Sequence, residues 1–188
     1  TWDFIFDRTD KGSTLKMLTM LDEYSRRCLA IRVERQIQSE HVLFTLWQAM
    51  TTYGIPRYIR SDNGSEFIAQ KIQTWLRENQ IKTRYIDPGS PWQNGYIEGF
   101  HNRFRDECLN REWSLNLRKA QVVIEDWRQH YNEERPHSRL GYISLEGFFS
   151  QPKSLTLSGP KQVSLSTSKV TTAPRIRGRK TPTVIETA

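Results

Sequence analysis

The sequence predicts an α/β fold in which a five-stranded mixed sheet is flanked by helices. Two observations lead to this class. The first third of the chain alternates apolar and polar residues between polar turns, as antiparallel strands do. The remainder alternates amphipathic helical patterns with short apolar runs, which is the order expected when helices connect further strands. At 188 residues, the chain can form one such domain with a buried core and an additional segment.

Three strands are predicted in the first third, over residues 2–6, 15–21 and 28–33. Asp3 lies inside the first strand and has strand-like apolar residues on both sides. Asp7 lies in a polar turn, and Asp22 lies at a strand end. We interpret Asp7 as a turn residue, and Asp22 as a turn residue or as an acid that supports a neighbouring site.

Helices and strands then alternate: a helix over 39–53, a strand over 58–60, a helix over 65–79 and a strand over 81–86. Ser39 is a suitable N-cap for the first helix, and Gly54 stops it. The short strand over 58–60 delivers Asp62 at its carboxyl end, where sites in α/β folds usually lie.

Two longer helices are predicted over residues 96–110 and 117–134, and the second buries Ala120, Val123, Ile124, Trp127 and Tyr131. In the first, an apolar stripe is formed by Ile97, Phe100, Phe104 and Cys108. A neighbouring polar stripe holds Glu98, Asn102 and Arg105. The polar stripe indicates either a row of surface salt bridges or a functional carboxylate with an amide and a guanidinium beside it. His101 lies off this stripe, and we expect it to make a structural hydrogen bond.

Three acids carry the functional interpretation: Asp3, Asp62 and Glu98, the last two separated by 35 residues. An acid inside an apolar strand costs free energy unless a partner compensates it. Carboxylates brought together repel one another, and divalent cations between them remove that repulsion. Oxygen ligands suit Mg²⁺ or Mn²⁺, and two such ions roughly 3.5–4 Å apart can support an in-line phosphoryl displacement. The three acids therefore indicate nuclease or strand-transfer chemistry.

A loop is predicted over residues 87–95 from its composition. Three of its side chains are chemically suited to contact DNA: Trp92, Gln93 and Asn94. The alternative is a simple connection into the next helix, with Asn94 as the helix cap. After the last helix, Arg135 and His137 flank Pro136, and they could reach a phosphate or tie the following segment to the core.

Further features carry a family resemblance: the strand acid Asp3, the turn Ser61-Asp62-Asn63-Gly64, Glu98, the run Arg105-Asp106-Glu107-Cys108-Leu109-Asn110, and the run Tyr131-Asn132-Glu133-Glu134-Arg135-Pro136-His137-Ser138-Arg139-Leu140-Gly141-Tyr142. Over about residues 2–148, the chain resembles bacterial insertion-sequence transposases of the IS-three type, whose catalytic core is similar to that of retroviral integrases. The resemblance implies a ribonuclease-H-like core with an acid triad of Asp3, Asp62 and Glu98.

The resemblance also implies an activity and its partners. It implies metal-dependent cleavage of DNA at insertion-sequence ends, followed by strand transfer, with two Mg²⁺ ions that Mn²⁺ can replace. Asp3 would bridge the two ions, and Asp62 and Glu98 would hold one each. The loop over 87–95 would approach double-stranded DNA of the element ends and target, as would Asn102 and Arg105. At least two protomers would meet on paired ends, forming a homo-oligomer on DNA.

Two other functions fit the same sequence. Relatives of this type carry helix-turn-helix segments upstream, and the chain starts two residues before Asp3 without one. It could therefore be a non-catalytic DNA-binding or assembly fragment derived from such an enzyme. A plain nuclease of the same fold is the third interpretation.

The charge is unevenly distributed. Of the formal net charge of +7, most lies in residues 151–188, which hold seven Lys or Arg and one acid. We therefore divide the chain into a catalytic core over 1–150 and a basic tail over 151–188 that is too polar to fold alone. A cluster in the tail could bind phosphate non-specifically or could be a solvated segment without function: Arg175, Arg177, Arg179 and Lys180.

The two cysteines and the distribution of apolar residues indicate the cellular compartment. Cys28 and Cys108 lack metal-ligand spacing, which favours free thiols in a reducing interior. The sequence shows no apolar run of membrane-spanning length and no signal peptide. We therefore expect a soluble protein of the bacterial cytoplasm that associates with the nucleoid and has no membrane partner.

Overall fold

A computed structural model describes residues 1–62, 69–87, 91–111 and 116–150. The strands are β1 (Trp2–Arg8), β2 (Thr14–Leu21), β3 (Cys28–Glu34), β4 (Tyr58–Ser61) and β5 (Lys82–Tyr85). The helices are α1 (Ser39–Tyr53), α2 (Gln70–Glu78), α3 (Gly95–Phe104), α4 (Leu117–Glu133) and α5 (Leu145–Phe149). A 3₁₀ turn, Pro91–Asn94, precedes α3, and a π-helical turn, Arg105–Leu109, follows it. Within these ranges, every helix is too short or too polar to cross a membrane.

The predicted order of three antiparallel strands followed by alternating helices and strands is confirmed. β2 pairs antiparallel with both β1 and β3, and the register places Asp3 opposite Thr19. β4 and β5 pair in parallel. The prediction of one five-stranded sheet is wrong for the described residues, which form a three-stranded sheet and a separate two-stranded sheet. β4 lies beside β1, and the Thr1 hydroxyl donates to the Arg60 carbonyl oxygen there (3.4 Å). The two strands are nevertheless not paired in one sheet.

Two hydrophobic clusters lie on opposite faces of the first sheet. Trp2 packs with residues of α1 and α2, whereas Ile5 packs with residues of α3 and α4. Successive strand residues point to opposite faces, so Asp3 shares the face of Ile5. The strand acid therefore faces the side of the sheet that α3 covers.

The structure corrects three predicted helix boundaries. The residue before α1 is an extended Gln38, whose N–H donates to His41 Nδ1 (3.2 Å), so Ser39 is the first helical residue and not the cap. The predicted helix over 65–79 is observed as α2, and residues 65–68 lie outside the described part. The predicted helix over 96–110 is α-helical only through Phe104, and then the backbone widens into the π turn.

The predicted apolar stripes of both later helices are confirmed. Ile97, Phe100, Phe104 and Cys108 are all buried. In α4 the buried positions include Ala120, Ile124, Trp127 and Tyr131, while Val123 is half-buried. The aromatic rings pack directly, with the Phe104 and Trp127 centroids 4.8 Å apart. This packing holds α3 against α4 and so fixes the helix that carries Glu98.

Candidate active site

Asp3 is held through both carboxylate oxygens. Its Oδ1 accepts a hydrogen bond from the main-chain N–H of Phe4 (2.7 Å), and its Oδ2 accepts from Asn94 Nδ2 (3.4 Å). Asn94 is buried and accepts in turn from the Thr1 hydroxyl (3.2 Å). Asn94 occupies the cap position of α3, but its side chain makes no capping bond. The amide side chain therefore connects the start of α3 to the strand acid.

The three predicted acids come from three different elements. Asp3 lies on β1, Asp62 directly follows β4, and Glu98 is exposed in the first turn of α3. Burial raises the pKa of Asp3 to about 6, the Phe4 N–H opposes this rise, and the negative charges of Asp62 and Glu98 add to it. β4, which Asp62 follows, lies beside β1, and Asn94 at the start of the helix of Glu98 donates to Asp3, so the fold brings the three acid-bearing elements together.

The donors suit a hard divalent cation, since all three are carboxylate oxygens. In the described ranges, however, no three His, Cys, Asp or Glu side chains lie close enough together to hold a metal ion by themselves. Mg²⁺ does not require such a cluster, because it usually takes one or two carboxylates and completes its shell with water and substrate phosphates.

Thr19 and His101 hold the main chain of Asp3. The fully buried Thr19 hydroxyl donates to the Asp3 carbonyl oxygen (3.0 Å) and lies 2.7 Å from His101 Nε2. His101 Nδ1 lies 4.0 Å from Asp3 Oδ2, so the ring stands between the Thr19 hydroxyl and the Asp3 carboxylate. Burial, with the charge of Arg105, lowers the pKa of His101 to about 4. The expected structural hydrogen bond of His101 is confirmed, and the ring is neutral at physiological pH.

The loop residues predicted to contact DNA are engaged within the protein. Gln93 Nε2 donates to Asp87 Oδ2 (2.8 Å), and Gln93 Oε1 accepts from the Asp87 N–H (3.1 Å). Asn94 is buried against Asp3, as described above. The side chain of Trp92 lies outside the described part. A DNA contact by these residues stays a prediction.

The polar stripe on α3 is exposed as predicted. Glu98, Asn102 and Arg105 all face solvent. Arg105 Nη2 donates to the Phe6 carbonyl oxygen (3.4 Å), which ties the end of α3 to β1. In the part of the chain that the structure describes, Glu98 and Arg105 form no ion pair, so the stripe is not a salt-bridge row. Contacts from Asn102 and Arg105 to a DNA backbone stay a prediction.

Arg135 and His137 both contact the core. The Arg135 guanidinium binds both carboxylate oxygens of Glu107 in the π turn, with Nε at 3.0 and 2.9 Å. The His137 ring packs edge-on against Tyr131, with the centroids 5.2 Å apart. Of the two roles left open by the sequence, these contacts correspond to the structural tie. The four basic tail residues lie outside the described ranges: Arg175, Arg177, Arg179 and Lys180.

Sequence reasoning missed two residues of the site. Thr19 is a single hydroxyl in an otherwise apolar strand, and the usable signal was its position opposite Asp3 in the predicted hairpin. Arg60 lies two positions before Asp62 and contacts both Glu23 and the Gln93 main chain. Nothing in the local pattern around Arg60 indicated these long-range contacts.

The α/β fold of the chain is shared with solved integrase structures. One is the simian T-cell lymphotropic virus intasome in complex with PP2A regulatory subunit B56 gamma, with a TM-score of 0.65, 15% identity, and coverage of 88% of this chain and 59% of that chain. Another is the magnesium complex of the HTLV-2 integrase catalytic core domain in its dimeric form, with a TM-score of 0.54, 18% identity, and coverage of 80% and 94%. The chain therefore has the ribonuclease-H-like fold of integrase catalytic cores.

Sequence comparisons find the integrase core domain in this chain. Two profiles of the integrase core domain match residues 1–91 and 79–144. Residues 1–144 thus match the integrase core domain, and the chain is similar to insertion-element proteins and transposases. An uncharacterised protein of insertion element IS476 from Xanthomonas euvesicatoria is 43% identical over 145 residues, which cover 76% of this chain and 42% of the relative.

Two further relatives agree with this match. An uncharacterised protein of insertion element IS407 from Burkholderia multivorans is 39% identical over 146 residues, covering 78% of this chain and 53% of the relative. The transposase for insertion sequence element IS904 from Lactococcus lactis is 25% identical over 141 residues, covering 73% and 56%. The chain spans about half the length of the curated relatives it matches.

Proposed function

We propose that this chain is the catalytic core of an insertion-sequence transposase of the IS-three type. It cuts a DNA strand at the ends of the element and joins the 3′-hydroxyl to another phosphate. The observation that carries the proposal is the contact of Asp3 with Asn94, at the start of the helix that carries Glu98, together with the position of β1 beside β4, which Asp62 follows. Three acids from distant positions in the sequence are therefore carried by neighbouring elements. The relationship to insertion-element proteins supports the choice of DNA as the substrate.

Asp3, Asp62 and Glu98 would hold the divalent cations, Mg²⁺ or Mn²⁺. When bound, such ions activate an attacking oxygen and stabilise the leaving oxygen of a phosphoryl transfer. The oxygen-only donor set supports this choice, as does the magnesium in the HTLV-2 integrase core structure.

The chain's own residues orient the acids and the DNA. Asn94 and the Phe4 N–H fix the two oxygens of the Asp3 carboxylate, while Thr19 and His101 fix its main chain. The attacking group would be water for cleavage and a DNA hydroxyl for joining. The exposed side chains of Asn102 and Arg105 would contact the phosphate backbone one and two helical turns beyond Glu98.

The assembly follows from the reaction. Two element ends and a target must be handled together, so we propose that protomers form a homo-oligomer on double-stranded DNA. The bacterial insertion-element relatives support a location in the bacterial cytoplasm, at the nucleoid.

The test is the cleavage of a labelled element-end oligonucleotide in Mg²⁺ or Mn²⁺. We expect Asp3→Asn, Asp62→Asn and Glu98→Gln each to lower metal-dependent cleavage by at least about a hundredfold, because each removes a metal ligand. Asp10→Asn, in an exposed turn, is the matched control and should cleave like the wild type. Circular dichroism should show that every variant stays folded.

The outcomes separate the three functions. Cleavage and joining that depend on all three acids would support the transposase core, whereas cleavage without joining would favour a plain nuclease. Full activity in one of the acid variants would remove that residue from the metal site. Absence of both cleavage and calorimetric metal binding would favour a DNA-binding or assembly fragment. Metal binding without cleavage would indicate a site that needs the rest of the longer relatives' chain.

A further inference from the structure

We infer that Arg60 is a positioning residue that holds the three acid-bearing segments in one arrangement. Its Nε lies 3.3 Å from Glu23 Oε1, in the turn between β2 and β3. Its Nη1 donates to the main-chain carbonyl oxygen of Gln93, in the 3₁₀ turn before α3. One guanidinium on β4 therefore connects the far turn of the three-stranded sheet to the start of α3. The inference rests on the proposed function, because it concerns the same three acids.

The Arg60 backbone and its contact with Gln93 lead to the three acids by short covalent or hydrogen-bonded paths, and the contact with Glu23 anchors the guanidinium. Asp62 follows Arg60 by two residues on the same strand end. Gln93 is followed directly by Asn94, whose side-chain amide donates to Asp3 Oδ2 (3.4 Å). Glu98 lies in the first turn of the helix that begins after Asn94. A shift of the Gln93 main chain would therefore move the support of Asp3 and the helix of Glu98 together.

The contacts around Arg60 are themselves braced. The side chain of Gln93 makes two hydrogen bonds to Asp87, just beyond β5. The Arg60 carbonyl oxygen accepts from the Thr1 hydroxyl, which also donates to Asn94. The Arg60 and Glu23 side chains are each 28% exposed, so their contact is only partly screened by water.

The chemistry of this position favours arginine. The contacts to a carboxylate on one side and to a carbonyl oxygen on the other use two different nitrogens of one planar group. A lysine ammonium could reach one acceptor well but lacks the rigid fork. Such positioning matters at this site because the charges of Asp62 and Glu98 act on the buried Asp3 carboxylate, and a metal site needs its ligands held to within about 0.5 Å.

The first test measures metal binding without catalysis. Mn²⁺ binding is followed by the loss of the free-ion signal in electron paramagnetic resonance for the wild type, Arg60→Met, Arg60→Lys and Arg57→Met. We expect Arg60→Met to weaken Mn²⁺ binding by at least about tenfold, as loss of a supporting group does at metal sites, and Arg60→Lys to be intermediate. Arg57, exposed immediately before the same strand with its guanidinium 5.3 Å from the Tyr58 ring, is the matched control and should have no effect. Asp3→Asn establishes that the bound Mn²⁺ is at the acids.

The second test needs no metal. Hydrogen exchange of the backbone amides from 93 to 98 is measured by mass spectrometry in chelator for the same variants. Faster exchange there in Arg60→Met, but not in Arg57→Met, is expected because the Gln93 carbonyl loses its partner. A merely structural role would instead lower the melting temperature and leave this segment no more exchangeable than the rest of the core.

The two tests have distinct failures. Unchanged Mn²⁺ affinity in Arg60→Met would overturn the inference, whatever the exchange shows, and would leave the proposed function standing. A wild type that binds no Mn²⁺ would overturn the proposed function, and faster exchange in Arg60→Met would then still support the positioning of Gln93. If Arg60→Met did not fold, Arg60→Lys would decide the question by the same two measurements.

Discussion

Asp3 and His101 have pKa shifts of opposite direction within one site. Burial and two neighbouring carboxylates raise the pKa of Asp3 to about 6, and burial with the charge of Arg105 lowers the pKa of His101 to about 4. As pH falls below about 6.5, His101 gains its proton in the unfolded state before it does so in the folded state. This residue therefore lowers the free energy of unfolding as pH falls from about 6.5 to 4. As pH falls from about 6 to 3.8, Asp3 gains its proton in the folded state first. Asp3 therefore raises the free energy of unfolding over this range. The two effects oppose each other over the same range.

Replacing Asp3 and His101 one at a time tests these two pKa shifts. In chelator, we expect the free energy of unfolding of Asp3→Asn to fall more steeply than that of the wild type between pH 6.5 and 4, because only the His101 effect remains. Each of the two shifts corresponds to roughly 3 kcal/mol when the group titrates fully. His101→Gln, which can still bond to Thr19, should change in the opposite direction relative to the wild type. Urea unfolding at a series of pH values measures both.

The control for this series is Asp10→Asn, in an exposed turn, which should run parallel to the wild type. Parallel curves for the wild type and Asp3→Asn would show that Asp3 titrates at the same pH in the folded and unfolded states. They would also contradict the effect of the Asp62 and Glu98 charges on its carboxylate.

At the scale of elements, an ion pair joins the π turn after α3 to the segment after α4. The Arg135 guanidinium contacts both oxygens of Glu107, and this hydrogen bonding lowers the pKa of Glu107. The pair ties the π turn to the chain that leads towards α5. Because both side chains are partly exposed, solvent screening reduces what the pair contributes to stability.

Two matched variants separate a structural Arg135 from a DNA-binding one. If Arg135 acts only through the pair, Arg135→Gln and Glu107→Gln should each lower the free energy of unfolding by about 1 kcal/mol and leave DNA affinity unchanged. If Arg135 binds phosphate, Arg135→Gln would weaken DNA binding, and Glu107→Gln, which frees the guanidinium, would strengthen it. We expect the first result. Thermal unfolding and fluorescence anisotropy of labelled DNA distinguish the two.

At the scale of the whole molecule, positive charge is concentrated outside the described core. The first 150 residues hold 21 Lys or Arg and 20 acids, while residues 151–188 hold seven Lys or Arg and one acid. Binding to the phosphate backbone releases counterions in proportion to the number of phosphates neutralised, so a basic segment increases the salt dependence of DNA affinity. The tail should therefore affect salt dependence more than sequence specificity.

Neutralising the basic cluster tests this role. Replacing Arg175, Arg177, Arg179 and Lys180 with Gln should reduce the slope of log K against log salt by up to about 3 to 4, which is about 0.9 for each lost phosphate contact. The melting temperature should stay unchanged, because the sequence predicts that the tail is too polar to join a core. An unchanged slope would mean that the cluster is solvated and does not bind DNA. DNA titrations from low to physiological salt measure the slope.

The sequence by itself determined the order of the elements and the candidate acids. Hydrophobic periodicity is a local property, so the strands β1 to β5 and the helices α1, α3 and α4 could be located from neighbouring residues. Asp3 stood out for the same reason, because a carboxylate inside an apolar strand is costly without a partner. Helix ends were less predictable. The cap of α1 at Gln38 and the π turn after Phe104 depend on main-chain geometry that side-chain patterns do not record.

Only the tertiary structure decided how these parts meet. The bond from Asn94 to Asp3, the contact between Thr19 and His101, and the contacts of Arg60 each join residues that lie far apart in the sequence. The division of the strands into two sheets likewise depends on which main-chain groups face each other across β1 and β4. Such contacts arise when distant segments pack, and their geometry follows from the whole fold. Local periodicity identifies the acids, whereas packing determines the residues that position them.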